Sequence, residues 1–336
     1  MFKKANYVVP KEFSQKKELP IISTDKIESC IVCGGQYFKT IAYCMDYEMQ
    51  TCGNVWEFQE CISCGHVQLD PRPSITELDV IYPSTYYSYD MSNTLNPIAI
   101  KGKRFLDRLK FDWFLTYVQC NVESYLDVGC GDCKYLDEMC RRGLSKNGLI
   151  GLELNDSAVE VGIKRGYKIL NERVEVTTSI PNNSLDLVTM FHVIEHVSEP
   201  EVVISRIYEW LHVGGVFVLE TPNYDALDAK LFRGEYWGGY HTPRHWHIFN
   251  SKNLTTLLEK NGFEVKAVRY QTGHSFWLFS LHHFFRFNRI FPLTIISRFF
   301  HPLKNVPVLI LMTGFDYIRS KLGFRTSAML LVAKKL

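Results

Sequence analysis

The sequence predicts an α/β protein whose main part is a mostly parallel sheet, with a small cysteine-rich module in front of it. Two observations lead to this fold class. After Ser124, short apolar runs with strand character alternate with amphipathic runs of helical period, which is typical of a parallel sheet covered by helices on both faces. Before residue 74, the chain instead carries two CxxC pairs, a pattern that indicates a small metal-stapled ribbon.

The composition is that of an ordinary globular protein with room for two modest domains. The 336 residues are 46% hydrophobic and 22% charged, and the net charge of +2 is too small to indicate a nucleic-acid partner by itself. The first 20 residues lack the apolar run of roughly 7 to 15 residues that a secretory signal needs. We therefore expect a cytoplasmic protein, in which the ten cysteines are metal ligands or thiols rather than disulfides.

The first predicted domain, residues 1–73, is a zinc ribbon. Cys30 and Cys33 in "SCIVCGG" and Cys61 and Cys64 in "ECISCGH" form its two halves, and a glycine follows each half. Glycine supplies the left-handed backbone of such a cysteine turn, and two turns together provide the four thiolates of a tetrahedral structural zinc site. The other cysteines have no such spacing, so we expect small buried or free thiols.

Residues 74–123 form the second predicted region, a proline- and tyrosine-rich connector followed by a helix. Phe105, Leu109, Trp113 and Tyr117 recur every four residues in that helix. We expect them to form an apolar face that packs on the following domain.

The third predicted domain, residues 124–336, supplies the alternating elements. The predicted strands are "SYLDVGCG", "GLIGLEL", "SLDLVTMFHV", "GGVFVLETP", "FEVKAVRYQTG" and "SAMLLVAKKL". The predicted helices between them are "CKYLDEMCRRG", "NDSAVEVGIKRG", "EPEVVISRIYEWL" and "SKNLTTLLEKNGF". An aromatic and basic insertion, residues 275–325, separates the last two strands.

A candidate ligand site lies at the turn after the first of these strands. "LDVGCGDCKYL" places Asp127, Gly129 and Gly131 at the carboxyl edge of a parallel sheet, where glycine lets a ligand approach the backbone. Glu153 ends the second strand and is placed to accept hydrogen bonds from ribose hydroxyls. Because no third glycine follows at the dinucleotide spacing, a nucleotide-containing ligand without a pyrophosphate fits better.

Together these motifs resemble those of class I S-adenosylmethionine-dependent methyltransferases. The resemblance rests on "LDVGCG", "GLELN", "PNNSLDLVTMFHVIEHV" with Asp186, and "SAMLLVAKKL", and it covers residues 124–336 apart from the insertion. It implies a Rossmann-like sheet of seven strands with the last strand antiparallel, and S-adenosylmethionine as cofactor. It also implies that Gly129 and Gly131 line the methionine part and that Glu153 holds the ribose. The remaining cofactor contacts that it implies are Val174 and Glu175 near the adenine, and Phe191 and His192 closing the pocket.

The stretch "HVIEHV" resembles the corresponding stretch of ubiquinone-type O-methyltransferases. Those enzymes have a glutamate where His192 stands, and it helps to bind a divalent cation. Since magnesium prefers oxygen ligands, imidazoles from His192 and His196 would suit zinc or iron better. We expect Glu195 and His196 to be structural, with a second metal ion as the alternative.

Methyl transfer to a hydroxyl or a carbon acid needs a base, and "GGYHTPRHWHIFN" offers three histidines. Its frame resembles that of sugar C-methyltransferases, which also begin with a zinc ribbon and a tyrosine-rich connector and carry a Glu-His motif after the fifth strand. This resemblance implies His245 as the base, helped by a connector tyrosine among Tyr86, Tyr87 and Tyr89. Tyr87 is the candidate that we name.

The same stretch leaves alternatives open. His241 is the second candidate for the base, His247 is expected to pack, and a structural role for all three histidines remains possible. Arg244 stands where the sugar C-methyltransferases have the glutamate. An arginine there would lower the pKa of the neighbouring histidine and could instead grip a phosphate or carboxylate.

The insertion has two interpretations. Its aromatic residues and interspersed cations would suit an interfacial helix on anionic lipid, at the inner face of the membrane, or a lid over the active-site end of the sheet. We favour the lid. The longest uncharged apolar run, "VPVLILMTGF", is too short to span a bilayer.

We therefore expect a methyltransferase acting on a hydroxyl or carbon of a sugar nucleotide or glycan precursor. Arg233, Arg244 and Lys252 are candidate partners for an anionic acceptor. The alternatives are an O-methyltransferase of a lipid-soluble small molecule, an RNA methyltransferase and a non-catalytic binding scaffold. The near-neutral charge disfavours RNA, and the intact cofactor motifs disfavour the scaffold.

Overall fold

The computed structural model describes residues 7–14, 19–83, 86, 97–288, 293–301 and 305–336. The strands of this part, in chain order, are β1 (Thr24–Asp25), β2 (Phe38–Cys44), β3 (Trp56–Cys61), β4 (Val67–Leu69), β5 (Arg72–Pro73), β6 (Tyr125–Val128), β7 (Leu149–Leu152), β8 (Lys168–Leu170), β9 (Leu185–Phe191), β10 (Leu211–Pro222), β11 (His247–Ile248), β12 (Phe263–Gln271) and β13 (Ala328–Lys335). The α-helices are α1 (Lys11–Ser14), α2 (Leu78–Ile81), α3 (Pro97–Leu115), α4 (Lys134–Arg141), α5 (Asp156–Lys164), α6 (Pro200–Trp210), α7 (Leu227–Phe232), α8 (Ser251–Lys260), α9 (His274–Phe287), α10 (Thr294–Phe299) and α11 (Val306–Lys321).

Backbone contacts divide the chain into two compact units, and the larger sheet belongs to the unit that comprises Tyr87–Thr221, Leu254–Arg269 and Leu330–Leu336. We call it the sheet unit. Its sheet has seven strands in the order β12-β13-β10-β9-β6-β7-β8. The run from β10 to β8 is parallel, and the last strand, β13, is antiparallel. The predicted α/β fold with an antiparallel last strand is confirmed.

The central strands of the sheet unit are largely apolar, as expected for a parallel sheet that helices cover on both faces. All four residues of β6 are buried, as are nearly all residues of β9 and the second half of β10. At the amino end of the sheet, the Asp186 carboxylate accepts hydrogen bonds from the Ser124 backbone N–H and hydroxyl, at 3.0 and 2.8 Å. The acid of the fourth-strand motif thus fastens β9 to the start of β6.

Helix α3 forms as predicted, but its buried face is not the predicted one. Phe105 is 61% exposed, whereas Phe111 and Phe114 are fully buried. At 3.6 residues per turn, a four-residue repeat drifts by about 40° per step, so the predicted stripe winds around the helix instead of following one face. Trp113 and Tyr117 remain partly buried at the edge of the core.

The second unit comprises Met1–Tyr86, Pro222–Asn253 and Tyr270–Met329, and we call it the cysteine unit. Its antiparallel sheet has the order β11-β4-β3-β2. β11 comes from the histidine-rich stretch and pairs with β4, with His247 opposite Gln68. The predicted domains are continuous stretches of sequence, whereas this unit is assembled from three separate stretches. The predicted domain boundaries at residues 73 and 123 stay predictions.

Large aromatic side chains fill the core of the cysteine unit. Trp56 and Phe58 from β3 lie in one buried cluster with Trp237, Tyr240 and Trp246 from the histidine-rich region. The unit also contains α9, α10 and α11 from the predicted insertion. Within the described residues, none of the helices combines the length and the apolar character that a bilayer crossing requires.

Candidate active site

The four paired cysteines of the cysteine unit converge on one point. Their sulfur atoms all lie within 4.8 Å of one another, with Cys30 Sγ 3.5 Å from Cys64 Sγ and Cys33 Sγ 3.6 Å from Cys61 Sγ. Sulfur ligands at the corners of a tetrahedron around zinc stand about 3.8 Å apart when each Zn–S bond is about 2.3 Å. The quartet therefore fits a structural zinc ion.

Two glycines make this convergence possible. Gly34 and Gly65 have φ of 71° and 74°, and each donates its N–H to the carbonyl oxygen of the first cysteine of its pair, Cys30 or Cys61. These turns point both sulfur atoms of each pair inwards. A Cβ on Gly35 would lie 3.2 Å from the Cys61 sulfur, so a small residue is also needed beside the metal position.

In the sheet unit, the turn after β6 forms a cradle at the carboxyl edge of the sheet. Gly129 and Gly131 have φ of 74° and 49°, but they serve different ends. A Cβ on Gly129 would lie 2.4 Å from Val193 Cγ2, so this glycine makes room for the chain itself. A Cβ on Gly131 would meet nothing within 4 Å. Gly131 is thus the position where a ligand can reach the backbone.

Glu153 closes the side of this cradle. Its Oε2 accepts a hydrogen bond from the Gly131 N–H at 2.9 Å, and its Oε1 accepts from the N–H groups of Leu154 and Asn155 at 2.8 and 2.9 Å. A carboxylate has about four acceptor sites, so these bonds fix its position and leave capacity for a hydroxyl group. The position at the end of β7 is the one predicted for the ribose.

Asp127 is buried beneath the cradle. Its Oδ1 accepts a hydrogen bond from the Thr189 hydroxyl at 2.8 Å, while its Oδ2 has no partner among the described residues. Burial raises the pKa of Asp127 to about 7, although the Thr189 bond offsets part of the effect. This buried carboxyl is a group that a cationic ligand would stabilise.

The predicted adenine and pocket residues follow β8 and β9. Val174 is buried, and Glu175 Oε1 accepts from the Ser198 N–H and from Arg173 at 3.2 and 2.9 Å. Phe191 ends β9 with its ring 5.0 Å from the Tyr135 ring. These side chains thus lie at the carboxyl edge of the sheet, where contacts within the sheet unit hold them in place.

His192 lies between two carboxylates of the sheet unit. Its Nδ1 is 3.4 Å from Glu195 Oε1, and its Nε2 is 3.6 Å from Glu220 Oε1. Partial desolvation would lower the pKa of His192, whose side chain is 43% exposed, but the two acids outweigh this effect and raise the pKa to about 9. These distances make His192 part of an ion-pair cluster with Glu195 and Glu220, and the second metal ion stays an alternative prediction.

Three residues of this cluster had no place in the sequence prediction. Lys110 from α3 is buried, with its Nζ 2.6 Å from Glu220 Oε2, 3.4 Å from Asp107 Oδ1 and 4.0 Å from the Phe191 ring centroid. Burial would raise the pKa of Glu220, but Lys110 and His192 hold it well below its usual range. A lysine on an amphipathic helix gives no sequence signal of a partner more than one hundred residues away.

In the cysteine unit, the ring nitrogens of His241 and His245 are held differently. His245 is buried, and its Nδ1 lies 2.8 Å from the Gly239 carbonyl oxygen. A carbonyl oxygen only accepts, so Nδ1 carries the proton, and Nε2 is the basic nitrogen of the neutral ring. His241 has its Nδ1 2.8 Å from Glu48 Oε2 and its Nε2 2.8 Å from the Tyr86 hydroxyl.

Among the described connector residues, Tyr86 is thus the tyrosine that contacts a histidine of the stretch, and its partner is His241. Tyr87, the named candidate, and Tyr89 lie outside the described residues. Glu48 had no predicted role. Its pKa would be raised by burial, but His241 outweighs this effect and keeps it lowered, so the acid is a carboxylate facing the imidazole.

Arg244 lies in the core and is not placed to bind an anionic ligand. Its guanidinium is fully buried and forms a two-pronged ion pair with Asp46, at 3.1 and 3.0 Å, while its Nε donates to the Ile81 carbonyl oxygen at 2.7 Å. His247 is also fully buried and stacks on His66 with ring centroids 5.6 Å apart. Both residues thus stabilise the histidine-rich stretch.

The comparison with known proteins decides the family. A family model described as "Methyltransferase domain" matches residues 85–268, which is more than half of the chain. The chain belongs to this methyltransferase family. The resemblance stated from the sequence motifs is confirmed.

The curated relatives of this methyltransferase-family chain match between 30% and 50% of it. A probable S-adenosylmethionine-dependent methyltransferase of Mycolicibacterium smegmatis is 30% identical over 157 residues, covering 44% of this chain and 54% of that protein. The mitochondrial ubiquinone biosynthesis O-methyltransferase of Mus musculus is 28% identical over 177 residues, or 46% of each chain. The chain spans about half the length of these curated relatives.

Solved structures resemble the methyltransferase-family chain over a larger share. A SAM-dependent methyltransferase from Archaeoglobus fulgidus is 19% identical, with a TM-score of 0.45, and the match covers 69% of this chain and 94% of that one.

Proposed function

We propose that the protein is an S-adenosylmethionine-dependent methyltransferase that acts on a hydroxyl or carbon of a sugar nucleotide or glycan precursor. The observation that carries the proposal is the cradle of Gly131 and Glu153 at the carboxyl edge of the sheet. The cradle is open at Gly131, where a ligand would approach the backbone, and it offers the Glu153 carboxylate as a hydrogen-bond acceptor for ribose hydroxyls. The methyltransferase family and the intact motif residues support the same conclusion.

In this proposal the cofactor supplies an electrophilic methyl group on a sulfonium, and the chain supplies position and charge. Glu153, fixed by three backbone N–H groups, orients the ribose. Gly131 admits the methionine part because it has no side chain. Asp127, with its unpartnered oxygen, is a buried carboxyl whose charged form a positively charged ligand would stabilise.

His245 is the base that we propose. Its Nδ1–H is donated to the Gly239 carbonyl oxygen, which fixes the tautomer in which Nε2 takes up the proton of the acceptor. The alternative base is the chain of Glu48, His241 and Tyr86. There His241 would take the Tyr86 proton, and the Glu48 carboxylate would stabilise the imidazolium that forms. The Tyr86 phenolate would then take up the proton of the methyl acceptor.

The acceptor class rests on the resemblance to sugar C-methyltransferases and on two exposed cations. Arg233 and Lys252 are both exposed in the cysteine unit and remain candidates for an anionic group of the acceptor. Arg244 leaves this set because Asp46 holds its guanidinium. The second candidate function, an O-methyltransferase of a lipid-soluble small molecule, is favoured by the names of the ubiquinone biosynthesis relatives.

Calorimetry with S-adenosylhomocysteine tests the cofactor site. Replacement of Gly131 by alanine puts a Cβ into the cradle and should weaken binding about tenfold or more. The matched control is Gly143→Ala, because Gly143 also has a positive φ, of 100°, and also has nothing within 4 Å of its Cβ position. If the unmodified protein does not bind S-adenosylhomocysteine, the methyltransferase proposal fails.

Turnover assays test the acceptor. Methyl transfer from labelled cofactor to a panel of sugar nucleotides and of polyprenylated phenols separates the two candidate functions. Label found only in the phenols would overturn the sugar assignment while leaving the cofactor chemistry in place.

A further inference from the structure

Helix α11 turns an apolar face outwards from the cysteine unit. Ile310, Leu311, Ile318 and Leu322 are 56%, 65%, 60% and 69% exposed. Leu311 and Ile318 are seven residues apart, and Leu322, the C-cap residue, follows four residues later, which keeps the three on one side of the helix. Asp316, on the opposite side of the helix, is buried. We call the four exposed residues the α11 face.

Exposed apolar side chains are concentrated in the same part of the chain. Eleven of the 28 large hydrophobic residues that are exposed in the described structure lie in the short insertion 275–325. Apart from the α11 face, they are Phe284, Leu293, Ile295, Ile296, Phe299, Phe315 and Phe324. Scattered apolar residues on a surface are normal, but such a concentration marks an interaction site.

The charge of the insertion is as one-sided as its apolar surface. Residues 275–325 contain seven arginines and lysines but a single acid, Asp316. Acids outside the segment pair with two of these cations, Glu12 with Arg286 at 2.9 Å and Asp225 with Arg325 at 2.7 Å, so the excess positive charge is smaller than the sequence count of +6. Asp316 is fully buried and is held by Arg319 at 3.0 Å. Lys321 lies beside the α11 face with its Nζ 5.4 Å from the Tyr317 ring, and Arg298 is exposed on α10.

We propose that the α11 face docks on a membrane surface that contains anionic lipid. Apolar side chains at the level of the acyl chains, with cations and a tyrosine at the level of the head groups, are what an interfacial helix requires. A second copy of the chain is a poorer occupant, since it would bring one cationic segment against another. The docking is independent of the identity of the methyl acceptor.

Vesicle flotation of the zinc-loaded full chain tests the docking. The protein should float with vesicles of phosphatidylcholine and phosphatidylglycerol, and much less with phosphatidylcholine alone. A triple variant, Leu311→Ser, Ile318→Ser and Leu322→Ser, should lower the bound fraction about tenfold or more. Its matched control carries serine at Val161, Ile163 and Val213, three exposed residues of the sheet unit, and should bind like the unmodified protein.

Two further measurements keep the result unambiguous. Calorimetry with S-adenosylhomocysteine should give the same affinity for the triple variant as for the unmodified protein, which shows that the variant is folded and separates this test from that of the cofactor site. Equal flotation of the triple variant and its control would overturn the proposal. Light scattering that shows a dimer of the unmodified protein and a monomer of the triple variant would also overturn it and assign the face to a second copy.

Discussion

Among single residues, His245 is the one whose replacement tests the proposed chemistry most directly. Because the Gly239 carbonyl fixes its tautomer, His245→Gln preserves a hydrogen-bonding side chain but removes the basic nitrogen. We expect turnover to fall about a hundredfold or more, the usual contribution of a general base, while the affinity for S-adenosylhomocysteine stays the same. Steady-state kinetics and calorimetry on the same samples measure both.

The control for this experiment is His212→Gln, because His212 is an exposed residue of β10. The pair of variants His241→Gln and Tyr86→Phe distinguishes the two proposed bases. A loss of turnover in that pair, with normal turnover in His245→Gln, would transfer the role of base to Tyr86 and its partners.

His192 allows a second test at this scale, through the pH dependence of stability. Its pKa is raised in the folded protein, so its ion pairs stabilise the fold fully below the usual histidine pKa near 6.5, and this stability is lost as pH rises through about 9. The side chain is 43% exposed, so solvent screening keeps the effect modest.

The measurement is the thermal midpoint of the unmodified protein and of His192→Gln across this pH range. The variant should be less stable at pH 6 and should approach the unmodified protein above pH 9. A difference that stays constant with pH would show that the ion pairs with Glu195 and Glu220 contribute nothing to stability.

Among the elements, β4 and β11 connect the cysteine quartet to the proposed base. β4 follows the second cysteine turn by three residues, and its Leu69 N–H donates to the Trp246 carbonyl oxygen at 2.9 Å, next to His245. We therefore expect removal of zinc by a chelator, or Cys64→Ser, to lower both turnover and the thermal midpoint. Zinc content, circular dichroism and turnover measured together check this.

Cys120→Ser is the control for this prediction, since Cys120 is an exposed thiol outside the quartet. The affinity for S-adenosylhomocysteine should survive zinc removal, because the residues of the cradle belong to the sheet unit. Full turnover of a zinc-free protein would refute the link between the metal and the base.

The sequence predicts elements well where a local pattern is sufficient. The long buried strands of the parallel sheet have continuous apolar runs, so their order along the chain could be predicted. β8 was not identified by its own pattern, because it has three residues, one of them an exposed lysine. β11 has two residues and acquires its strand character only by pairing with β4.

For the molecule as a whole, the features that the sequence could not predict are contacts between side chains that lie far apart in sequence. The cofactor turn and the cysteine quartet consist of short motifs; the structure brings the four cysteines together, and the cofactor roles of Gly129, Gly131 and Glu153 stay predictions. The contacts of Lys110 with Glu220 and of Arg244 with Asp46 join residues 110 and 198 positions apart. No local pattern reveals such pairs, and the tyrosine that meets His241 could not be chosen among its neighbours for the same reason.

The pairing of β4 with β11 also has a consequence for synthesis on the ribosome. His66 and His247, which stack across this pair of strands, are 181 positions apart. At about 5 to 20 residues per second, the nascent chain waits for roughly 10 to 40 seconds before the second strand exists. During that time the edge of β4 that later pairs with β11 is exposed to other chains, so the nascent ribbon needs protection from edge-to-edge aggregation.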